Sequence, residues 1–309
     1  MNTLSVHLDN YLKLRRQLGF QLRISGLLLR KFVLFADREK ATFVTTKLAL
    51  RWATQPADIR LSQGAVRMGI VRRFALYLSA IDPRTEVPPP GLLPCQFRRR
   101  TPHLYRDDDI VRLMAVTRQI DHANEFKGAT YATLFGLLAV TGMRLGEALA
   151  LDRQDVDLKA GLITVRRAKG NKSRFVPLHP SAQRALQQYV ELRDQACMQP
   201  ASPGFLLSER GTRLLGCTVN RWFLLVACQI GLRKPGGRRG PRVHDLRHYF
   251  AVRTLLRWYR ADVDVEVHLP ELSTYLGHVH VRHTYWYLSA VPELLKLATL
   301  RWQHREGAQ

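Results

Sequence analysis

Arg242-Val243-His244-Asp245-Leu246-Arg247-His248 opens the stretch on which the reading of this chain turns, and Leu276-Gly277-His278, followed by Thr284-Tyr285-Trp286-Tyr287, closes it. The apolar run after Val243 predicts a helix. On that helix His244 and Arg247, three apart, share a face, and Asp245 falls in the first turn, where the helix dipole favours a carboxylate. One surface then carries an imidazole beside a guanidinium, a planar and permanently charged group that matches the paired oxygens of a phosphate. Further on, Gly277 is expected to end a short helix begun near Glu271, and the chain restarts through His278 and two tyrosines.

Charge narrows the class of partner. The 309 residues carry 48 Lys and Arg against 25 Asp and Glu, a formal net charge of +23. Such an excess points to a polyanion, with nucleic acid first; a merely solvated basic surface is the alternative, disfavoured because it repels itself without return. With 46% hydrophobic residues the chain can bury real cores, and its length suits about two domains. No run reaches the roughly 18 apolar residues of a membrane span, and the first residues lack a basic-then-apolar signal pattern. Cys95, Cys197, Cys217 and Cys228 show neither CxxC pairing nor zinc spacing, which fits reduced cysteines in a cytoplasmic protein.

Outward from the opening stretch, periodicity organises the rest. Leu4, Leu8, Tyr11 and Leu12 recur at helical spacing up to Gly19; Ile24, Leu27, Leu28, Phe32 and Phe35 mark a second helix. A third follows an N-cap at Thr45 or Thr46 with Leu48 and Trp52, and a fourth starts near Ser62 with Val66, Ile70, Phe74 and Tyr77. Residues 1–83 therefore read as a four-helix unit. Arg67, Arg72 and Arg73 on its last helix are expected away from the apolar stripe, either as a solvated face or laid against a DNA backbone. Prolines at 88–90, 94 and 102 exclude helix and strand around Arg98, Arg99 and Arg100, so residues 84–103 read as an extended basic linker. A basic linker between basic domains suggests a clamp around a duplex, though it also serves solubility.

Residues 104–309 make the second unit. Asp107-Asp108-Asp109 open a helix through Ile110, Leu113 and Met114, and residues 131–140 form a buried central helix that runs into Thr141-Gly142-Met143-Arg144-Leu145-Gly146-Glu147. A guanidinium at the end of a buried helix is costly without a partner, so Arg144 serves either Glu147 as an ion pair or an anion in a cleft. Residues 162–166 and 174–178 favour strand and flank Lys169-Gly170-Asn171-Lys172, a hairpin with a lysine at its tip. Helices are expected over 180–197 and 219–230, then a basic loop through Arg238 and Arg239. Lys172, Arg174, Arg238 and Arg239 join the candidate DNA contacts.

Arg144, Lys169, His244, Arg247, His278 and a tyrosine, each from a different place in the second unit, suit phosphoryl transfer to tyrosine. Attack on a phosphodiester gathers negative charge on the non-bridging oxygens, which preorganised cations stabilise. A phenol with an ordinary pKa of about 10 needs a base or a cationic field, and the departing sugar oxygen needs a proton.

In order and spacing these residues resemble the tyrosine recombinase (phage integrase) family over about residues 104–290: Arg144 in Thr-Gly-Met-Arg-Leu-Gly-Glu, Lys169 in Lys-Gly-Asn-Lys-Ser-Arg, His244 and Arg247 in His-Asp-Leu-Arg-His, His278 in Leu-Gly-His, and Tyr287 nine residues later. The resemblance implies a mainly α fold with a small β-hairpin, in which a helical core-DNA-binding domain precedes a mixed, mostly helical catalytic domain. By resemblance, Arg144, Arg247 and His278 bind the scissile phosphate, Lys169 is the general acid, His244 assists proton transfer, and Tyr287 forms a 3′-phosphotyrosyl link. Tyr285 is the rival nucleophile, but two residues apart on a helix sets the rings roughly 200° apart, and the spacing from His278 favours Tyr287; Tyr275 reads as core.

The resemblance also implies double-stranded DNA as partner and a homotetramer on two duplexes. A tail helix over 291–302, with Leu294, Leu295, Ala298 and Trp302 on one stripe, would pack at home or, as in the family, on a neighbouring protomer. The stretch between Arg247 and His278 is longer than is usual in the family, and Tyr249 stands where a small residue is common. These departures, with no additional arm-binding domain, favour a mobile-element recombinase over a chromosome-dimer resolvase or a lambda-type integrase. A type IB topoisomerase-like activity and a DNA-binding accessory protein with an idle site are the alternatives. His278, His280 and His283 lack the Cys, Asp or Glu spacing of a metal site, and no Gly-Lys-Ser/Thr phosphate loop is present, so no metal, cofactor or small-molecule substrate is expected.

Overall fold

The computed structural model describes residues 3–55, 59–94, 101–119, 121, 124–166, 173–237, 239–289, 293–295 and 299. The chain divides into two compact units, Met1–Arg100 and Thr101–Gln309. The first holds α1 (Thr3–Gln17), α2 (Arg23–Arg38), α3 (Thr46–Ala53) and α4 (Leu61–Leu78). Leu4, Leu8, Tyr11 and Leu12 are all buried, and the chain leaves α1 through Gly19 at φ +87°. The Thr45 side chain caps α3 by accepting from the Leu48 N–H at 3.1 Å.

On α2 the spacing finds part of the buried face: Phe32 is in the core and Leu28 and Phe35 pack against it, but two of the expected residues point outward. Ile24 and Leu27 are 74% and 62% exposed, while Leu29, Phe32, Val33 and Ala36 enter the core. The helix carries two apolar stripes. Packing turns the face of Leu29, Phe32, Val33 and Ala36 inward. Val66 of α4 is likewise exposed, and Met68, Val71, Phe74, Ala75 and Leu78 face inward with Ile70.

Of the stretch expected to be an extended linker, the described residues 84–94 fold onto the first unit. Glu86 donates its N–H to Val44 O and accepts the Thr46 N–H on Oε2, both at 2.8 Å; Thr85 is buried, and Leu93 packs against the first core. Prolines forbid helix and strand here, yet they leave carbonyls free to accept, and Pro88 O takes the Arg72 guanidinium. On the other side Tyr105 is buried in the second unit, its hydroxyl 3.4 Å from Arg242 O. Arg98, Arg99 and Arg100 lie outside the described residues.

The second unit begins with α5 (Asp107–Gln119), where the Asp109 carboxylate accepts the Arg106 N–H at 2.9 Å, and α6 (Glu125–Thr141), capped by Asn124. Phe126, Tyr131, Leu134, Phe135, Leu137 and Leu138 of α6 are buried, which makes it the axis of the main core. Full burial of such side chains contributes about 1.5–3 kcal/mol each. After α7 (Leu145–Ala150) comes an antiparallel meander of β1 (Val156–Asp157), β2 (Leu162–Val165) and β3 (Arg174–Pro177), with Leu162 opposite Pro177 and Val165 opposite Arg174. The hairpin matches expectation; β1 is too short for its sequence to signal.

Next follow α8 (Pro180–Ala196), α9 (Gly216–Gln229), α10 (Asp245–Arg260), α11 (Val265–Leu276) and α12 (Arg282–Ser289). The last three close a separate core of Ala251, Leu255, Leu269, Leu272, Leu276 and Tyr287. Helix α11 starts six residues before Glu271, where its beginning was expected, because the Asp264 carboxylate caps it and burial of Leu269 and Leu272 carries it through Pro270. Leu294 is 1% exposed in this same core while Leu295 is 51% exposed, so the two do not share a buried stripe; Ala298 and Trp302 lie outside the described residues. No helix is long and apolar enough to cross a membrane among the described residues.

Candidate active site

The site begins at the end of α6. Gly142 adopts φ +61°, and a Cβ there would stand 2.5 Å from Phe250 of α10, so only glycine lets α6 end this close to α10. Its carbonyl accepts from the Arg247 guanidinium at 2.7 Å. Two residues on, Arg144 donates to Glu147 Oε1 and to Gly277 O, both at 2.7 Å, and its backbone N–H meets Glu147 Oε2 at 2.9 Å. Of the two roles open to Arg144 in the sequence, the ion pair with Glu147 is therefore present.

Arg174, which the sequence suggests as a DNA contact, is turned inward instead. Its guanidinium spans both oxygens of Glu147 at 3.1 and 2.8 Å and donates to Tyr275 O at 2.8 Å, tying β3 to α7 and α11. Burial alone would raise the Glu147 carboxyl, but its bonds to Arg174 and Arg144 hold it down to about 2. One carboxylate thus serves two guanidiniums.

Arg247 is 2% exposed, and its hydrogen-bond partners are uncharged: Gly142 O, Leu276 O at 2.7 Å, and the hydroxyl oxygen of Tyr287. Burial lowers its pKa to about 10, so it stays charged at neutral pH in a place that would gain from an anion. One turn back, His244 stands at the N-cap position of α10, at the rim and with much of its surface open. Desolvation of its inner edge and then the Arg247 charge push its pKa below the ordinary histidine value, which leaves a neutral imidazole able to take a proton. Asp245 turns back to accept the Arg242 N–H at 2.9 Å and the Arg242 guanidinium at 2.8 Å.

Gly277, at φ +67°, ends α11 in a left-handed turn that delivers His278. His278 Nδ1 shares a hydrogen bond of 2.8 Å with the hydroxyl of Thr284, which is fully buried. Its ring lies nearly parallel to that of Tyr287, with centroids 6.1 Å apart and 20° between planes. The two tyrosines of α12 separate cleanly: Tyr287 is 3% exposed and faces Arg247, whereas Tyr285 is 51% exposed.

Arg144, His244, Arg247, His278 and Tyr287 are thus brought together, and Lys169 and Lys172 lie outside the described residues. The sequence does not single out Thr284 or His248, whose ring touches those of His244 and Tyr287. Of the candidate DNA contacts, Arg73 and Arg239 are exposed. Arg67 instead bonds to Gln55 O and Trp52 O and lies 4.0 Å over the Trp52 ring, and Arg72 bonds to Pro88 O, so both are turned onto their own unit. Arg238 falls outside the described residues. No group of three or more His, Cys, Asp or Glu is disposed to hold a metal ion among the described residues.

Three guanidiniums around a single carboxylate leave a net positive cradle, with a phenol at its wall and a neutral imidazole at its rim. Such an arrangement stabilises the charge of a phosphodiester under attack by the phenol. A mostly helical unit with a small sheet and this cluster defines the class: DNA strand transferases that work through a tyrosine.

Residues 104–293 match the phage integrase family, and the chain belongs to it. It is 45% identical over 309 residues to the putative integrase/recombinase y4rB of Sinorhizobium fredii, covering 99% of this chain and 98% of that protein. In fold it is similar to the Tn1549 transposon integrase in complex with transposon right end DNA, at a TM-score of 0.68 and 14% identity over 98% of this chain and 99% of that one. It is also similar to a lambda integrase tetramer bound to a Holliday junction, at 0.58 and 17% identity over 92% and 77%.

Proposed function

We propose that this protein is the recombinase of a mobile genetic element, and that it cuts and rejoins double-stranded DNA through a 3′-phosphotyrosyl intermediate on Tyr287. The observation that carries the reading is the Tyr287 hydroxyl held on a buried Arg247 whose hydrogen bonds go to no carboxylate, with the His278 ring alongside. Tyr287 Oη attacks the phosphorus and the sugar 5′-oxygen leaves. Arg144, Arg247 and His278 carry the charge on the non-bridging oxygens, His244 takes the phenolic proton, and Lys169 supplies one to the leaving oxygen. Attack by a 5′-hydroxyl reverses the step, so the bond energy is kept and no cofactor is consumed. Arg73 and Arg239, with Arg98, Arg99, Arg100, Lys172 and Arg238, are assigned to backbone phosphates. Likeness to an integrase/recombinase and to a transposon integrase supports the mobile-element role, and likeness to the lambda tetramer supports a homotetramer on two duplexes.

Incubation with nicked duplexes carrying the sequences on either side of the gene tests this reading. A covalent protein–DNA adduct is expected from the wild type and from Tyr285→Phe, and none from Tyr287→Phe. Adduct kept in Tyr287→Phe and lost in Tyr285→Phe overturns the assignment. Relaxation of any supercoiled plasmid, without preference for sequence, would point to a topoisomerase instead.

A further inference from the structure

A buried polar atom without a partner is rare in a native fold, and His248 has one. Its ring is 8% exposed, and Nδ1 meets no hydrogen-bond partner among the described residues. The ring joins two parts of the site. On its own helix it meets His244, with centroids 5.0 Å apart; on α12 it meets Trp286 at 5.1 Å and Tyr287 at 5.3 Å. Two successive residues of α12 therefore close on one imidazole. Arg247, its neighbour in sequence, holds the Tyr287 hydroxyl. The tyrosine is fixed through its oxygen by one residue of α10 and against its ring by the next.

We propose that His248 is a positioning residue for the nucleophile: its uncharged ring is the wall on which α12 docks, and a proton on that ring loosens α12 from the site. This rests on the reading of Tyr287 as nucleophile. The groups facing the ring explain why charge is not tolerated. From α10 and the residues before it come His244, Asp245, Arg247 and Arg242; α12 presents the Tyr287 phenol; and the turn ahead of α12 brings His278, stacked on Tyr287. Asp245 is the one anion in this set, and it is already bonded to Arg242. Burial, then the nearby His244, lowers the pKa of His248 to about 4. With α12 displaced the ring meets water and returns toward the ordinary value of about 6.5. A histidine depressed in the docked state supports docking fully above pH about 6.5 and loses that support as pH falls toward 4. Between pH 7.5 and 5.5 the docking constant drops about tenfold.

Hydrogen exchange of the full-length protein without DNA, corrected for the intrinsic effect of pH, reads this directly in peptides from residues 282–289. In the wild type, protection of α12 falls about tenfold from pH 7.5 to 5.5 while α6 is unchanged. In His248→Phe, which keeps an aromatic ring and removes the titrating nitrogen, the fall disappears. His248→Gln gives the same pH independence, should Phe pack poorly. A fall that survives in both variants is not set by His248 and overturns the proposal, as does protection in the wild type that ignores pH. On a nicked duplex, adduct yield falls less between pH 7.5 and 5.5 in His248→Phe than in the wild type, the fall that remains being that of the base His244. If the exchange result holds and the wild type gives no adduct at either pH, the nucleophile reading fails and the docking role of His248 stands.

Discussion

A single carboxylate decides how three cations share this site. Glu147 is 7% exposed and accepts from both Arg144 and Arg174, while Arg247 is left with uncharged partners. Because the folded pKa of Glu147 is depressed to about 2, its contribution is fully present above its unfolded value of about 4.5 and is lost as pH falls through 2. A shift of that size corresponds to about 3 kcal/mol. Denaturant unfolding of the wild type and Glu147→Gln should therefore show a gap of that order at pH 7 that narrows steadily below pH 4.5; a gap independent of pH would mean that the pair contributes shape rather than charge. The pairing of Arg144 with Glu147 was legible, since three residues on a helical turn fixes their meeting. Arg174 was not. It arrives from a strand 27 residues further on, and no local spacing distinguishes an inward guanidinium from an outward one.

At the scale of elements, the active site is the seam where the end of α6, the start of α10 and the α11–α12 turn meet. Glycines at 142 and 277, both at positive φ, make the seam tight, and the sequence announces both by placing them after apolar helices. It does not announce that α11 runs through Pro270, or which of two apolar stripes α2 buries, because those choices are made by the packing partner. Within the α11–α12 turn, the His278 ring is oriented by its bond to buried Thr284. Thr284→Val keeps the shape and removes the hydroxyl. Loss of that bond should cost about 1 kcal/mol of stability. By freeing the ring, it should slow adduct formation on the order of tenfold or more. Rates measured at saturating DNA, alongside thermal melts, separate the two effects; an unchanged rate with a lowered Tm would reduce Thr284 to a packing residue.

For the whole molecule, charge is the property the sequence states most plainly and the fold distributes least visibly. About half of the net positive charge falls in the first 100 residues, a unit with its own core and none of the catalytic cluster. Several arginines there do local work, as Arg67 and Arg72 show, so formal charge overstates the number of phosphates the surface can meet. The salt dependence of binding counts those contacts, because each neutralised phosphate releases counterions and steepens the fall of affinity with salt by about 0.9 in a double-logarithmic plot. If both units grip one duplex, the full chain should lose on the order of 10³-fold or more in affinity between 50 and 200 mM salt. Residues 101–309 alone, whose main core is built without the first unit, should show a clearly shallower slope. Arg73→Ala should lower the slope of the full chain by about one contact and Arg72→Ala should leave it unchanged, since only the former is exposed. Equal slopes for the full chain and the fragment would confine the DNA interface to the catalytic unit and leave the charge of the first unit to be explained by some other partner.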